Sequence, residues 1–537
     1  MISNKDSNVN KSGRSRSSLT MKHPMHDFEA SENSLKESQA KLSSITEDMD
    51  YVVIGSGIGG LSAAALLSYY GYSVVVLESH YLPGGVAHSF ERNGFLFDAG
   101  PSLWNGMNTR PYNPLREILE IIDEGQTVKY AQYDGWVMHT PDGSFKFKVG
   151  ENEFEKILAR FGGPNAINEW KELNEVLKPV MELSAAVPPL ALRSDPTAVL
   201  TLLPHLPKLM KGLPSVSAVE GSFYDISKKV VKDTFLENWF EFLSFALSGL
   251  PADGTIAAAV AYTMRDLHQR RASLDYPIGG SAAIVEALIR GVEKNGSGKV
   301  ILNTHVDSII IENGKAVGVK LRNGRIIRSK RAVISNASVW DTMKLLPASQ
   351  VAEIVSPSYI EDQMKTPMTG SFMHLHIGIN ASGLPADLES HYTVINKWRP
   401  IDAPQNHVII SIPSVLDPSL APPGCHVIHA YAAANEPYNL WENIESREEY
   451  EKLKIERGNF LWEAIERSIP DVRSRVIINV NMMGSPKTHA RFNRRYKGTF
   501  GPALRAGEMK FPYPKTDIPG LFTCGDSVFP GIGTRFF

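Results

Sequence analysis

The sequence predicts an α/β (α+β) fold of two lobes, one with a parallel sheet and the other with a mixed sheet plus helices. A strand, a glycine-rich turn, a helix and a second strand follow one another between Tyr51 and Glu78. Residues 151–270 then show the three- and four-residue apolar spacing of helices. Short apolar strands and tight turns return after about residue 271. A chain of 537 residues is long enough for both lobes.

The glycine-rich turn has the spacing of a dinucleotide-binding loop. Gly55, Gly57 and Gly60 follow an apolar strand and open a helix of small residues. The first glycine allows a sharp turn, the second lets the backbone approach a pyrophosphate, and the third lets helix and strand pack closely. Glu78, at the end of the second strand, can accept hydrogen bonds from the ribose hydroxyls. The pattern therefore predicts a Rossmann-like, dinucleotide-binding lobe.

Two further motifs favour FAD over NAD as the dinucleotide. Gly84 and Gly85 come shortly after Glu78, and Gly525 and Asp526 lie close to the end of the sequence. A strand that runs into Gly-Asp can place the carboxylate on the ribityl or phosphate part of FAD, which NAD lacks. The two distant motifs therefore predict an FAD-binding lobe.

Composition argues against several classes of function. A formal net charge of -2 gives no reason to expect a nucleic-acid partner. Two cysteines, Cys425 and Cys524, indicate a reducing compartment and no disulfide framework. His374 and His376 fall on one face of a predicted strand, but the sequence offers no third ligand near them. We interpret both as core or cavity-wall residues and predict no metal site.

The first segment, residues 1–48, is rich in Ser, Asn and Lys and has no apolar periodicity. Such composition predicts a disordered tail. Its basic, serine-rich start also resembles a transit peptide, so a targeting segment is the alternative.

The helical stretch contains the most apolar parts of the sequence. Ala185–Pro214 is rich in Val, Leu and Pro, and several phenylalanines lie between Phe240 and Leu250. Two interpretations stay open: a buried helical core, or a surface that enters a bilayer or lines an apolar tunnel. The sequence has no run of 18 or more uncharged apolar residues, so we predict no membrane-spanning helix.

These patterns divide the chain into six segments. They are a disordered or targeting tail (1–48), the first part of the FAD-binding lobe (49–150), a helical apolar substrate or membrane lobe (151–270), the second part of the FAD-binding lobe (271–345), the sheet of the substrate lobe (346–510) and the C-terminal part of the FAD-binding lobe (511–537).

Several longer motifs carry a resemblance to a known family. They include VVIGSGIGGLSAAALL, VLESHYLPGGVAHSF, FDAGPSLW and GLFTCGDSVFPGIG. With them the chain resembles the FAD-dependent carotenoid isomerase and phytoene desaturase superfamily, and within it the prolycopene isomerase-like carotenoid isomerases. The resemblance runs from about Tyr51 to Gly533. It implies a two-lobe flavoprotein whose substrate lobe has a long apolar tunnel for a polyene taken from a membrane.

The resemblance also implies roles for particular residues. Gly55, Gly57 and Gly60 would hold the pyrophosphate, and Glu78 the ribose. The backbone of Val306 would meet the adenine, and Asp526 would contact the ribityl chain. Gly531 and Gly533 would open the next turn beside the flavin. Arg494 and Arg495 would either contact cofactor or substrate, or form exposed or salt-bridged side chains. Relatives continue past this motif into a helix, so we expect a segment beyond Phe537.

The function implied is cis-to-trans isomerisation of a carotenoid by reduced FAD without net redox change, with NAD(P)H as a candidate reductant. Desaturation, saturation or hydration of the same substrate class is the alternative reaction. A non-catalytic FAD- or carotenoid-binding protein is the alternative class. No catalytic side chain is assigned, because relatives rely chiefly on the flavin. We expect a peripheral membrane protein of a plastid, or of the cytoplasmic membrane face in a prokaryote. The sequence does not determine the oligomeric state.

Overall fold

The computed structural model describes residues 32–46, 48–100, 102–110, 112–186, 221–507 and 513–528. Gly531, Gly533 and most of Ala185–Pro214 lie outside these ranges. The described residues form nineteen strands: β1 (Asp48–Ile54), β2 (Val74–Leu77), β3 (Ser89–Arg92), β4 (Phe95–Asp98), β5 (Trp104–Asn105), β6 (Tyr130–Tyr133), β7 (Gly135–Thr140), β8 (Gly143–Lys148), β9 (Leu274–Pro277), β10 (Gly298–Ile301), β11 (Val306–Glu312), β12 (Lys315–Leu321), β13 (Ile326–Ser335), β14 (Ser371–Asn380), β15 (His391–Ile395), β16 (His407–Ser411), β17 (Cys425–Glu436), β18 (Val476–Gly484) and β19 (Leu521–Thr523).

The same ranges contain sixteen α-helices: α1 (Glu32–Ser44), α2 (Ile58–Tyr69), α3 (Pro114–Ile121), α4 (Glu153–Phe161), α5 (Ala166–Ala186), α6 (Phe223–Val230), α7 (Thr234–Ser248), α8 (Ala257–His268), α9 (Ser281–Glu293), α10 (Val339–Lys344), α11 (Ala348–Val351), α12 (Tyr359–Met364), α13 (Asn439–Glu442), α14 (Arg447–Glu466), α15 (Val472–Arg475) and α16 (Pro486–Phe492).

The first sheet carries the glycine-rich turn. Its strands lie in the order β10, β2, β1, β13, β12 and β11, and β19 pairs with β13. Strands β10, β2, β1, β13 and β19 are parallel, whereas β12 and β11 continue the sheet antiparallel. All four residues of β2 are buried, as expected for a parallel strand covered on both faces. Helix α2 connects β1 to β2, so the glycines lie at the carboxyl edge of the sheet, where such folds bind nucleotides.

The second sheet has the order β18, β14, β17, β16, β15, β7 and β8. Its last hairpin differs from the sequence prediction, which placed all residues up to 150 in the FAD-binding lobe. Strand β7 instead pairs in parallel with β15, through partners such as Val137 and Tyr392. The alternating residues between Tyr133 and Phe147, with a turn at Pro141-Asp142-Gly143, predict a meander there, and β7 and β8 form its hairpin. Alternation carries no information about which distant strand the hairpin joins.

Helix α1 corrects the prediction of a disordered tail up to residue 48. Leu42 and Ile45 are buried in the core beneath the first sheet. The guanidinium of Arg325 donates to the carbonyls of both residues, at 2.6 and 3.2 Å. Asn303 donates to two serine hydroxyls of the helix, each at 3.1 Å. Tertiary contacts therefore hold a helix that has too few apolar residues to be recognised locally.

Helices α4 to α8 enclose an aromatic core against β7 and β8. Phe240, Phe242 and Phe245 of α7 are at most 4% exposed, and Trp239 stacks on Phe147 with ring centroids 4.9 Å apart. Of the two interpretations of the apolar lobe, the buried helical core is therefore the one that applies to residues 221–250. Within the described residues, none of the helices combines the length and the apolar character needed to cross a membrane.

Candidate cofactor and substrate site

The turn between β1 and α2 has a steric reason for each of the predicted glycines. Gly55 has a φ of 92°, in the left-handed region that favours glycine. A Cβ on Gly57 would lie 2.5 Å from Nδ2 of Asn336, and a Cβ on Gly60 would lie 2.3 Å from the carbonyl oxygen of Gly55. Gly57 is the N-cap of helix α2 and gives it no side-chain cap. The amides of its first turn are therefore suited to binding an anion.

Gly84 and Gly85 lie directly against this turn. The amide of Gly84 donates to the carbonyl of Ser56 at 3.0 Å. A Cβ on Gly85 would lie only 3.0 Å from Cα of Gly57. The second glycine motif therefore approaches the first backbone to backbone.

Gly525 reaches the same place from the far end of the chain, directly after β19. A Cβ on Gly59 would lie 2.8 Å from Cα of Gly525, and a Cβ on Gly525 would lie 2.5 Å from Oδ1 of Asn336. We call Gly55–Gly60, Gly84–Gly85 and Gly525 the glycine cradle. The cradle closes around Asn336, a residue for which the sequence motifs predict no site role. The sequence feature that could have identified Asn336 is its position directly after β13, at the carboxyl edge of the sheet.

Glu78 lies at the same edge of the sheet as the cradle, directly after β2, and Val306 is the first residue of β11. One carboxylate oxygen of Glu78 accepts from the amide and the hydroxyl of Ser56, both at 2.8 Å, and the other accepts from the amide of His80 at 2.8 Å. The carbonyl of Glu78 accepts from the amide of Thr304 at 2.7 Å, which brings the start of β11 and Val306 close. A bare backbone cradle, a helix N-terminus and a nearby buried acid fit the pyrophosphate and ribose of FAD. The individual contacts stay predictions.

Asp526 forms an ion pair with Arg495, with Oδ2 and Nη1 2.6 Å apart. The Arg495 guanidinium also donates to the carbonyls of Thr499 and Phe500. Both charged side chains are largely buried, at 15% and 18% exposure. Arg494, in contrast, is exposed. Of the two alternatives left open for this arginine pair, the structure gives a salt bridge for Arg495.

A cavity of about 630 Å³ begins at His88, shortly after the second glycine motif. Its mouth is formed by exposed residues of α14, α15 and β18, among them Ile455, Arg473 and Asn481. Its walls are mainly aromatic and apolar: Tyr81, Phe90, Ala99, Trp462, Val476, Met482, Met483 and Phe492. Its inner end is formed by four buried histidines: His88, His374, His376 and His489.

Burial keeps the inner end uncharged. It lowers the pKa of His88 and His376 to about 4 and that of His489 to about 3, because a charged imidazole loses hydration there. The pKa of His374 is lowered well below its usual value by burial and by the neighbouring His489 and His376. These histidines are therefore neutral near pH 7. A neutral inner end with aromatic and apolar walls suits an apolar ligand.

A third histidine, His429 of β17, joins His374 and His376 in a buried cluster. Nδ1 of His374 and Nε2 of His429 are 3.0 Å apart, and the two rings are 9° from parallel with centroids 5.3 Å apart. That centroid distance is close to the bond length plus the two ring radii, so the hydrogen bond lies in the ring planes. His376 instead stacks face to face on His429, with centroids 4.1 Å apart.

The stacking decides how this three-histidine cluster could act. An imidazole nitrogen binds a metal through a lone pair in the plane of its ring. Two parallel stacked rings share no plane, so a single ion cannot lie on both lone pairs. The arrangement is that of a hydrogen-bonded pair with a stacked third ring. His429 could not be predicted as a neighbour of His376, because its place opposite that residue depends on the register of β14 and β17.

Asp98 holds the inner end of the cavity in place through hydrogen bonds. Its carboxylate accepts from the hydroxyls of Tyr276 and Ser89, at 2.8 and 2.7 Å, and from the amide of Ser281 at 2.8 Å. Its carbonyl accepts from Nε2 of His376 at 3.2 Å. Burial raises the pKa of this carboxyl group, although all three donors oppose the shift. Asp98 thus ties β4, α9 and the cavity wall together.

The fold and the site define a class of protein: a two-lobe flavoprotein with a Rossmann-like sheet for the cofactor and a second sheet beside a substrate cavity. An oxidoreductase from Methanosarcina mazei has this fold, with a TM-score of 0.57 and 20% identity, over 89% of this chain and 95% of that one. The chain belongs to the flavin containing amine oxidoreductase family, whose profile matches residues 58–457. FAD is accordingly its cofactor, as the glycine motifs predict.

Two relatives locate the chain within this family. It is 32% identical to prolycopene isomerase 1 of an Oncidium hybrid cultivar over 514 residues, which cover 91% of this chain and 81% of the relative. It is 26% identical to a lycopene-forming phytoene desaturase of Pantoea ananas, over 90% of this chain and 95% of the relative. The predicted membership of the carotenoid isomerase and phytoene desaturase superfamily is confirmed.

Proposed function

We propose that this protein isomerises cis double bonds of a carotenoid to the trans form, using reduced FAD without net redox change. The observation that carries the proposal is the cavity with apolar walls that begins at His88, directly after Gly84 and Gly85 of the glycine cradle. It offers an elongated hydrocarbon a place beside the predicted flavin position. The 32% identity to a prolycopene isomerase supports the same substrate class.

The chain contributes shape and surroundings to this reaction. When bound, reduced FAD supplies electron density that lowers the order of one polyene double bond. Phe90 and Phe492 present aromatic faces and edges that hold the polyene by dispersion and stacking. The buried neutral imidazoles place no fixed positive charge at the inner end, so the polyene is not exposed to a strong acid there.

Desaturation is the second candidate reaction, because the 26% identical relative is a phytoene desaturase. Saturation and hydration use the same substrate class, and NAD(P)H would serve as the reductant where one is needed. A non-catalytic FAD- or carotenoid-binding protein is the remaining alternative. Isomerisation, desaturation, saturation and hydration give products of four different masses, and a binding protein gives no product.

We further propose that the protein works on a plastid membrane as a peripheral protein. The plastid assignment is supported by the name of the Oncidium relative, which is described as chloroplastic. At the cavity mouth Ile455 is 67% exposed, and on the adjoining β18 Ile478 is 84% exposed. Exposed apolar side chains beside a cavity opening suit contact with a bilayer. Liposome flotation tests this: Ile455→Asp together with Ile478→Asp should reduce binding, and unchanged flotation would contradict it.

The decisive experiment gives FAD-loaded protein a poly-cis carotenoid in liposomes under anaerobic, reducing conditions. Product mass and absorption spectrum are measured. Unchanged mass with a trans spectrum supports isomerisation. Loss or gain of a pair of hydrogens assigns desaturation or saturation, and gain of water assigns hydration. Full flavin occupancy without any product would favour the binding protein. The Gly57→Val variant serves as the control without cofactor.

A further inference from the structure

The cavity has residues from both faces of the second sheet in its walls. His374 and His376 are two positions apart on β14, so their side chains lie on one face. On the neighbouring strand β18, Met482 pairs with His376 and Met483 pairs with Leu375. Successive side chains of a strand point to opposite faces, yet both methionines line the cavity. One part of the cavity therefore lies on each face of the sheet.

The packing of the two methionines agrees with this placement. Met482 packs against the cluster that contains Phe97, whereas Met483 packs against the cluster that contains Phe460 of α14. Helix α14 also supplies Trp462 to the cavity wall. No ligand can cross a hydrogen-bonded sheet, so the two parts meet around β18, which is an edge strand. The cavity is therefore bent, with an inner part at the histidines and an outer part beside α14.

A glycine of α14 leaves room for Met483 in the outer part. Gly458 is buried in the middle of this helix, where glycine is less favourable than alanine, and Lys454 and Trp462, one turn to either side, line the cavity. A Cβ on Gly458 would lie 2.5 Å from Cε and 3.3 Å from Cγ of Met483, and still nearer to Sδ. Ordinary carbon contacts need about 3.5–4.0 Å. A side chain at this position would therefore push Met483 away from the helix and narrow the cavity.

We propose that the bend around β18 makes the cavity selective for a bent, poly-cis polyene over a straight, all-trans one, and that Gly458 and Met483 keep the bend open. Conjugation stiffens a polyene, so an all-trans chain is a rod that fits only one part of a bent cavity. Each cis double bond changes the direction of the chain and lets it occupy both parts. The inference rests on the proposed function for the class of ligand. The shape preference rests on the path of the cavity.

The test measures binding, not turnover, with FAD-loaded protein in detergent micelles. The flavin is kept oxidised, so that the proposed reaction does not interconvert the probes. These are lycopene in a poly-cis form and lycopene in the all-trans form, which have the same composition and differ in shape. Quenching of tryptophan fluorescence reports occupancy, because Trp462 lines the cavity. We expect the poly-cis form to bind about tenfold more tightly than the all-trans form.

Variants test the roles of the glycine and the methionine. Gly458→Ala should weaken binding of the poly-cis form by about tenfold and that of the all-trans form much less, because the displaced Met483 narrows the bend. Adding Met483→Ala should restore the preference, because the shorter side chain leaves room for the new methyl group. Gly291→Ala is the matched control: Gly291 is also buried in a helix, where an added Cβ would meet the side chain of Ile122, and it does not line the cavity. FAD absorbance checks that each variant is folded.

The outcomes separate this inference from the proposed function. Equal affinity of the unchanged protein for the two forms would overturn the shape preference and leave the proposed function standing; this measurement needs no variant. A preference that survives Gly458→Ala, or an equal loss of affinity for both forms, would overturn the roles of Gly458 and Met483. Failure of both forms to bind FAD-loaded protein would overturn the inference and the proposed function together.

Discussion

Acidification from about pH 7 to about pH 5 is expected to unfold this protein, because many of its histidines are buried in the neutral form. In the unfolded chain a histidine has a pKa of about 6.5. Burial lowers the folded-state pKa of six histidines to about 4 or about 3: His88, His268, His376, His407, His391 and His489.

The size of the effect follows from proton linkage. As the pH falls below about 6.5, the unfolded chain binds a proton at each of these residues, whereas the folded chain does not until about pH 4. Their contribution to stability is complete above about pH 6.5 and decreases below it. At about pH 5 each histidine costs about 2 kcal/mol. Six cost about 12 kcal/mol, comparable with the whole free energy of unfolding of a typical domain, about 5–15 kcal/mol.

The assay is urea unfolding of FAD-loaded protein at a series of pH values, followed by tryptophan fluorescence. His407→Phe removes one titrating group that is packed against Phe242 and Phe245 and has no hydrogen-bond partner for either ring nitrogen among the described residues. The His407→Phe variant should reduce the pH-dependent loss of unfolding free energy by about 2 kcal/mol at about pH 5. His426→Phe, at a half-buried position, is the control and should change the loss much less. A free energy of unfolding independent of pH in this range would refute the reasoning.

Three further predictions concern the cofactor site and the cavity. Gly57→Val should abolish the yellow FAD absorbance, because a side chain in the turn would keep the backbone away from the pyrophosphate. Gly71→Asn, exposed after α2 with open space around its Cβ, should keep the absorbance. Retained FAD in the valine variant would contradict the cradle. Arg495→Gln should weaken FAD binding in a titration by about tenfold, because Asp526 would lose its buried partner. Arg494→Gln should leave the affinity for FAD unchanged. Equal FAD affinity of the Arg495→Gln variant and the unchanged protein would argue against a role for the ion pair. Elemental analysis of purified protein should find no stoichiometric zinc, iron or copper, because the stacked three-histidine cluster does not direct its lone pairs at one point. A full equivalent of metal would disprove that geometry.

Elements determined by neighbouring residues could be predicted from the sequence. The apolar strand, the glycine turn, helix α2 and strand β2 all lie where the pattern places them, since each step depends on residues only a few positions apart. The glycines of the cradle were identified for the same reason: a Gly-x-Gly-x-x-Gly turn has a local steric requirement. The hairpin of β7 and β8 was also recognised, from alternation and its Pro-Asp-Gly turn.

Features that depend on distant pairing could not be predicted. His376 faces His429 because β14 and β17 pair in one register, and a shift by one residue would turn one histidine to the other face. Asn336 meets Gly525 only because β19 docks beside β13. The helix Glu32–Ser44 depends on Arg325 and Asn303, far along the chain. In each case the deciding contact joins residues whose proximity leaves no periodic trace in the sequence.

The closing of the cradle by Gly525 has a consequence for synthesis of the protein. A ribosome makes the chain from its N-terminus, so the loop at Gly55–Gly60 emerges long before β19. Until Leu521–Thr523 has paired with β13, the loop lacks Gly525 as its neighbour, and the nascent chain has no complete place for FAD. Translation interrupted anywhere before Gly525 should therefore yield a colourless product.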